Sequence, residues 1–228
     1  WKDVIAKAPT GTGKTFAFGI PIIEHIDPES EEVQAVIMAP TRELAMQITA
    51  ELRDLAVFMS GIRVVCLYGG APIGKQIDAL KKKPQIVVAT PGRLSDHMKR
   101  RTVRLDRVQT VVLDEADRML DMGFWPAMKK IVAATPSSRQ TLLFSATLDR
   151  KVMQSVSSIL KDPAFVEVSH KGETADTIDQ FMIPVGPMKK PELLRLVLQQ
   201  RGSKRVIVFT DTKTRAEICT GQLKRAGF

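Results

Sequence analysis

Two short segments, far apart in the chain, carry the residue types that phosphate chemistry needs. Residues 8–15 read Ala-Pro-Thr-Gly-Thr-Gly-Lys-Thr, and residues 114–117 read Asp-Glu-Ala-Asp directly after an apolar run at 111–113. A glycine-rich loop brings backbone N–H groups against phosphate oxygens, and a lysine and a hydroxyl complete the site. Carboxylates can hold Mg²⁺ and activate water. Together the two segments predict a site for a nucleoside triphosphate with Mg²⁺.

The first segment predicts the residues that bind the nucleotide. We expect Gly11 and Gly13 to allow close backbone approach, Lys14 to reach the β and γ phosphates, and Thr15 to bind Mg²⁺. The first glycine of the usual pattern is replaced by Ala8, which is still a small residue. The predicted nucleotide-binding residues are Thr10, Gly11, Thr12, Gly13, Lys14 and Thr15.

The second segment supplies acidic groups. Asp114 follows three apolar residues, so it should lie at the end of a buried strand, where a carboxylate is costly without a cation. We predict that Thr15 and Asp114 hold Mg²⁺ and that Glu115 orients or deprotonates the attacking water. The alternative is that the acidic tetrad is only the solvated start of a loop. The predicted catalytic residues are Lys14, Asp114 and Glu115.

Apolar runs alternate with amphipathic stretches along the chain. Runs that are apolar on consecutive positions indicate strands covered on both faces, and stretches such as 43–59 and 151–160 have a helical pattern. The alternation predicts an α/β fold, a mainly parallel sheet flanked by helices. The predicted strands lie at 3–6, 35–38, 64–68, 86–89, 111–113, 142–144 and 165–168.

A polar cluster follows each of the first six predicted strands. In an open parallel sheet, the carboxyl ends of the strands share one edge, which is where such folds bind ligands. We therefore expect all six clusters to face one region. They are residues 10–15, 40–43, 69–70, 90–93, 114–115 and 145–147.

Two of these clusters allow a structural and a functional interpretation. Thr41 and Thr90 have the position and type of helix N-caps, and capping alone could explain them. However, Arg42 and Arg93 stand beside helix N-termini, whose free N–H groups bind phosphate, and the glycines at 69–70 allow close backbone approach. A track for a phosphodiester strand is an equally physical interpretation.

The charge of the chain indicates a polyanionic partner. The 228 residues carry a formal net charge of +9 and a pI near 9.7, with basic clusters at 81–83 and 99–107. Nucleic acid is the first candidate, before a membrane surface. The alternative is that these clusters are simply solvated faces.

The cysteines and histidines give no sign of a metal site. Cys66 and Cys219 lie in apolar runs without metal-ligand spacing, which favours reduced, buried thiols in a cytoplasmic protein. No run is long enough to span a membrane. His25, His97 and His170 are scattered, so we expect satisfied or surface histidines.

The domain organisation predicted from composition is one complete unit and part of another. Residues 1–169 form the first unit, and 170–177 are almost free of apolar residues, which is typical of a linker. The start of a second, truncated unit at 178–228 is predicted as strand 178–185, helix 191–200, strand 205–209 and helix 214–225. Because the chain starts at Trp1 and ends in mid-pattern, we expect an excised fragment.

Six motifs in one order give the chain a resemblance to a known family. It resembles the DEAD-box ATP-dependent RNA helicases, and the match extends over nearly the whole length. The resemblance implies a RecA-like P-loop NTPase domain followed by a truncated second RecA-like domain. The motifs are Ala-Pro-Thr-Gly-Thr-Gly-Lys-Thr, Pro-Thr-Arg-Glu-Leu-Ala at 40–45, Gly-Gly at 69–70, Thr-Pro-Gly-Arg at 90–93, Asp-Glu-Ala-Asp and Ser-Ala-Thr at 145–147.

The resemblance also implies an activity and residue roles. It implies an ATPase that uses ATP and Mg²⁺, clamps RNA between two RecA-like domains and separates short duplexes locally. Contacts to the RNA backbone are assigned to Arg42, Gly70, Thr90 and Arg93. Asp117, Ser145 and Thr147 are the residues expected to couple hydrolysis to strand separation.

Two parts of the family pattern are missing from these 228 residues. The family's adenine-reading glutamine segment would lie upstream, and the later arginines that complete its ATP site would lie downstream. We therefore expect the fragment to be nearly inactive by itself. The alternatives are an ATP-dependent RNA clamp or assembly platform with little unwinding, and a DNA-directed motor of the same superfamily. Asp117 and the Thr-Pro-Gly-Arg cluster argue against the DNA motor.

Overall fold

The chain folds as two compact units, Trp1–Lys171 and Gly172–Phe228. The structure, a computed structural model, describes residues 1–9, 11–168, 179, 181–186, 189–200 and 205–228. Thr10 and the predicted linker at 170–177 lie outside the described residues. Within the described residues, no helix is both long enough and apolar enough to cross a membrane.

The first unit contains a parallel sheet. All seven predicted strands are present, and each neighbouring pair runs parallel, which confirms the predicted fold class. The strand order in the sheet is β3-β4-β2-β5-β6-β1-β7. The strands are β1 (Val4–Lys7), β2 (Ala35–Met38), β3 (Val64–Leu67), β4 (Ile86–Ala89), β5 (Thr110–Leu113), β6 (Gln140–Ser145) and β7 (Ala164–Glu167).

Helices cover both faces of this sheet, which explains why the strands are apolar at consecutive positions. In β2, Val36 and Met38 belong to one hydrophobic core, and Ala35 and Ile37 belong to the other. Two helices contribute to the second core: α1 (Lys14–His25) and α2 (Arg42–Leu55). Five pack on the opposite face: α3 (Ile73–Leu80), α4 (Pro91–Lys99), α5 (Ala116–Asp121), α6 (Trp125–Ala133) and α7 (Arg150–Val156).

Two helices are shorter than predicted. α2 ends at Leu55 instead of residue 59, and α7 ends at Val156 instead of residue 160. After α2 the chain turns toward Gly61, whose φ is +90°, and Phe58 is 96% exposed. The apolar residues after Leu55 therefore do not continue the buried face of the helix, although their sequence pattern suggested that they would.

The second unit contains the two predicted helices. They are α8 (Lys190–Gln200) and α9 (Lys213–Arg225), and Pro191 lies in the first turn of α8 as expected. The predicted strands are wrong as far as they are described, because 181–186 and 205–210 are not strands. A strand is stabilised by ladder hydrogen bonds to a neighbour. In the described part of this unit, no segment pairs with another in that way.

The strand order of the first unit divides the six polar clusters into two groups. β5, β6 and β1 are neighbours, so the clusters at 10–15, 114–115 and 145–147 follow adjacent strands. β3, β4 and β2 are also neighbours, and they lead to the clusters at 69–70, 90–93 and 40–43. β2 pairs with β5 between the groups. One edge of the sheet therefore presents two adjoining regions.

Candidate nucleotide and nucleic-acid sites

The glycine-rich loop after β1 is shaped to receive an anion. Gly11 and Gly13 have φ values of +86° and +80°, and nothing lies within 4 Å of a Cβ built on either glycine. Gly13 is the N-cap of α1, so the unpaired N–H groups of the first helical turn open at this loop. The hydroxyl of Thr12 donates to the carbonyl of Pro9 and thereby stabilises the loop.

Lys14 and Asp114 form a buried ion pair beside this loop. Nζ of Lys14 lies 3.8 Å from Oδ1 of Asp114, and the two side chains are 9% and 4% exposed. Burial raises the pKa of Asp114 above its ordinary value, although Lys14 acts in the opposite direction. A further cation would stabilise a buried carboxylate in this position, and the hydroxyl-bearing Thr15 lines the same pocket. This donor set fits Mg²⁺ together with phosphate and water ligands.

Glu115 has a strained backbone. Its φ is +50°, in the left-handed region, which costs a residue with a Cβ roughly 1–2 kcal/mol. The strained residue stands between β5 and α5 and donates its N–H to Oδ1 of Asp114 at 3.0 Å. Its carboxylate also pairs with Arg118 at 3.2 Å. The two neighbouring acids therefore have different environments: Asp114 is nearly buried beside Lys14, and Glu115 pairs with the exposed Arg118.

These residues line a pocket of about 260 Å³. Helix α2 contributes one wall of the pocket, which consists of Leu44, Gln47 and Glu51 and was not predicted from the sequence. Gln47 donates to Glu51 at 2.8 Å. Their spacing places them along one face of α2, and this periodicity was the available signal. The described lining residues are Gly11, Gly13, Lys14, Thr15, Phe16, Leu44, Gln47, Glu51, Asp114 and Glu115.

Asp117 joins the acidic segment to the loop after β6. Its Oδ2 accepts hydrogen bonds from N and from Oγ1 of Thr147, at 2.9 and 2.6 Å, and its Oδ1 accepts from N of Arg118. Ser145 donates its hydroxyl to the carbonyl of Thr147 at 2.6 Å. Burial alone would raise the pKa of Asp117. The hydrogen bonds from Thr147 and Arg118 have the opposite effect and outweigh burial, so the pKa of Asp117 lies below its ordinary value. The structure therefore brings together the three residues predicted to couple hydrolysis to strand separation.

The two predicted N-caps differ. Oγ1 of Thr41 accepts from N of Leu44 at 3.3 Å, so this residue caps α2 as predicted. Thr90 occupies the N-cap position of α4, with Pro91 at the first helical position, but its side chain makes no capping hydrogen bond. Capping therefore accounts for the hydroxyl of Thr41 and does not account for that of Thr90.

The glycine turn after β3 lies against the start of α4. Gly70 has a φ of +84°, both glycines are exposed, and the space where each Cβ would stand is open. Nη1 of Arg93 donates to the carbonyl of Ala71 at 3.0 Å. Arg42 is exposed and pairs with Glu43 at 2.9 Å. The four predicted RNA contacts thus lie at the ends of β2, β3 and β4.

The basic clusters lie elsewhere. Residues 81–83 precede β4 and residues 99–107 precede β5, so both are at the amino edge of the sheet, opposite the glycine turn. Several are paired with acids, including Lys83 with Glu31 and Arg104 with Asp106. These positions favour the alternative interpretation of the two clusters as solvated faces.

The parallel sheet with helices on both faces defines the first unit as a RecA-like domain. The DEAD/DEAH box helicase family model matches residues 1–156. The chain belongs to the DEAD/DEAH box helicase family, as the resemblance of its motifs predicted.

Relatives extend this similarity over nearly the whole chain. The DEAD-box ATP-dependent RNA helicase CshA of Bacillus licheniformis is 47% identical over 227 residues, and CshA of Bacillus subtilis is 46% identical. The chain spans 46% of the length of each. Among solved structures, a DEAD box protein from the hyperthermophile Methanococcus jannaschii matches with a TM-score of 0.68 and 35% identity. That match covers 100% of this chain and 61% of the other.

Proposed function

We propose that this chain is part of an ATP-dependent RNA helicase that binds the RNA backbone and couples ATP hydrolysis to local strand separation. The observation that carries the proposal is the buried Lys14–Asp114 pair beside the open Gly11–Gly13 loop. A fixed cation, a carboxylate and free backbone N–H groups meet there in one pocket. The relatives are named as ATP-dependent RNA helicases, which supports the same activity.

In the proposed reaction, Lys14 binds the β and γ phosphates of ATP while the loop donates its backbone N–H groups. Mg²⁺, held by the hydroxyl of Thr15 and the carboxylate of Asp114, would supply positive charge to the phosphate oxygens. Glu115 orients the attacking water and accepts its proton as ADP leaves. The strained backbone of Glu115 supports this assignment, since such strain is concentrated at functional sites.

Hydrolysis calls for a second cation. Among the described residues that line the pocket, Lys14 is the only one with a positive charge. A cation on the developing γ-phosphate charge is worth a factor of roughly a thousand or more in phosphoryl transfer. We propose that other parts of the longer protein supply it, as in the family pattern, and that this chain alone turns over slowly.

For RNA, we propose contacts from Arg42, Gly70, Thr90 and Arg93. The uncommitted hydroxyl of Thr90 and the open glycine turn support a phosphodiester track over capping alone. Asp117, Ser145 and Thr147 would transmit changes at the ATP site, because Asp117 is only three residues from Asp114 and is bonded to the loop after β6. The names of the relatives favour RNA over DNA and unwinding over a static clamp.

We also propose a cytoplasmic location. Both cysteines are free, although each is half-buried and not fully buried as the sequence suggested. Reduced thiols fit a cytoplasmic protein that acts on RNA.

Lys14→Ala tests the proposal at its central residue. We expect binding of MgATP, measured by titration calorimetry, to be abolished, because the fixed cation on the β and γ phosphates is removed. The control is Lys130→Ala, which removes an exposed lysine of α6 and should keep wild-type affinity. Equal MgATP affinity in Lys14→Ala and wild type would contradict the proposed ATP site.

A further inference from the structure

A buried network of hydrogen-bonded polar side chains lies behind the glycine turn. The nucleotide and RNA sites described above do not include it. His97 of α4 is 0% exposed and Gln76 of α3 is 6% exposed. Nε2 of His97 lies 3.0 Å from Oε1 of Gln76, and Nε2 of Gln76 donates to the carbonyl of Tyr68 at 2.9 Å. Nδ1 of His97 lies 2.8 Å from Oγ1 of Thr102. The chain of contacts therefore runs from the end of α4 to the residue before Gly69.

The hydrogen-bonding pattern determines which nitrogen of His97 carries the proton. The amide nitrogen of Gln76 is committed to the carbonyl of Tyr68, so the amide presents its oxygen, an acceptor, to His97. Nε2 of His97 must then be the donor. In the neutral ring, Nδ1 is then an acceptor. The hydroxyl of Thr102 lies 2.8 Å from Nδ1 and 3.1 Å from the carbonyl oxygen of His97, so its one hydrogen can be donated to either.

The neutral form of the ring agrees with its surroundings. Burial lowers the pKa of His97 below its ordinary value, and the positive charge of Arg93 acts in the same direction. The charge of Asp96 has a smaller, opposite effect, and that of Arg100 is the smallest and lowers the pKa. A neutral imidazole with one N–H donor is what the contact to Gln76 requires. This role was not predictable from the sequence, because His97 has no ligand-like spacing.

The contacts hold the glycine turn from both sides. The carbonyl of Tyr68, before the turn, accepts from Gln76, and the carbonyl of Ala71, after the turn, accepts from Arg93. Gly69 and Gly70 between them are exposed, with open space around them. Glycine has more backbone freedom than any other residue. Fixing the flanking carbonyls therefore removes freedom that RNA would otherwise have to remove on binding.

We propose that His97 is a positioning residue for RNA binding. As the neutral Nε2–H tautomer it orients the Gln76 amide, which holds Tyr68 and thereby the Gly69–Gly70 turn in its RNA-binding conformation. This role rests on the proposed RNA contacts of that turn. In this proposal His97 itself makes no contact with RNA and acts only through Gln76.

Two substitutions of His97 distinguish the role of its Nε2 atom from that of its Nδ1 atom. The amide of glutamine reaches the position of Nε2, so His97→Gln can still donate to Gln76. The shorter asparagine reaches only the position of Nδ1, so His97→Asn keeps a partner for Thr102 and loses the donor. Because both variants bury one amide in the same place, the pair controls for burial of a polar group.

The experiment measures RNA affinity of the 228-residue chain by fluorescence anisotropy with a single-stranded oligonucleotide. We expect His97→Asn to weaken binding about five-fold, which corresponds to the roughly 1 kcal/mol of one hydrogen bond, and His97→Gln to stay within about two-fold of wild type. Amide hydrogen exchange at residues 69–71 should be faster in His97→Asn only. MgATP affinity should be unchanged in both variants.

A second measurement does not depend on RNA. Long-range ¹H–¹⁵N spectra of the wild-type chain should show His97, assigned through the missing signal in His97→Gln, with Nε2 protonated and Nδ1 unprotonated at neutral pH. An Nδ1–H tautomer or an imidazolium would overturn the proposal. So would equal effects of the two variants on RNA affinity, or no effect of either. A wild-type chain that binds no RNA at any salt concentration would instead overturn the proposed function, and the positioning role with it.

Discussion

At the scale of single residues, the candidate site combines acids with different tasks and different surroundings. Asp114 is nearly buried beside Lys14, while Asp117 is half-buried and accepts three hydrogen bonds. Residue type and position were enough to select Asp114 from the sequence, because it directly follows an apolar strand, whereas Asp117 was selected through the resemblance to the family. Gln47 and Glu51 had no such signature, since a polar pair on a helix is usually solvated.

The hydrogen bonds of Asp117 predict a pH-dependent contribution to stability. Because the pKa of Asp117 is lowered in the folded chain, its ionised form stabilises the fold when the pH is above the ordinary pKa of an aspartate. This stabilisation is lost as the pH falls through the pKa that Asp117 has in the folded state. The free energy of unfolding of wild type should therefore exceed that of Asp117→Asn most above pH ~5, and the excess should shrink toward pH ~3.

Urea unfolding at several pH values measures this difference. Asp121→Asn is the matched control, because Asp121 is an exposed acid on the same helix. A difference between wild type and Asp117→Asn that stays constant with pH would contradict the role of the carboxylate.

At the scale of elements, the strands of the first unit were predictable and the helix ends were less so. A strand covered on both faces is apolar at most consecutive positions, and this signal does not depend on what packs against it. The end of α2 is different, because residues 57–59 are apolar and exposed. In the second unit, an apolar run such as 205–209 has strand composition, but pairing requires a neighbour that composition cannot supply.

The two N-cap positions give a paired prediction at this scale. Thr41→Ala should lower the free energy of unfolding by about 1 kcal/mol, because the hydroxyl that caps α2 is lost. Thr90→Ala should leave the free energy of unfolding nearly unchanged, because the side chain of Thr90 makes no capping bond. Denaturant midpoints at constant m-value provide the measurement. Equal losses in the two variants would show that Thr90 is a structural cap after all.

At the scale of the whole first unit, strand order decides which loops meet. The sequence placed six polar clusters at one edge, but it did not indicate that β5-β6-β1 and β3-β4-β2 form separate neighbouring groups. Order in a parallel sheet depends on how crossover helices pack, which single-sequence patterns do not contain. In the function proposed above, one group of strand ends binds ATP and the adjoining group binds RNA.

The most direct test of this separation compares the salt dependence of RNA binding in Arg93→Ala, Arg93→Lys and Lys14→Ala. The measured quantity is the slope of the logarithm of RNA affinity plotted against the logarithm of salt concentration. If Arg93 contacts the RNA backbone, this slope should be smaller in magnitude by roughly one in Arg93→Ala. It should be unchanged in Arg93→Lys, which retains the charge. Lys14→Ala should abolish MgATP binding and leave RNA affinity, measured without nucleotide, unchanged. The account would be contradicted by an unchanged slope in Arg93→Ala, or by a loss of RNA affinity in Lys14→Ala as large as that in Arg93→Ala.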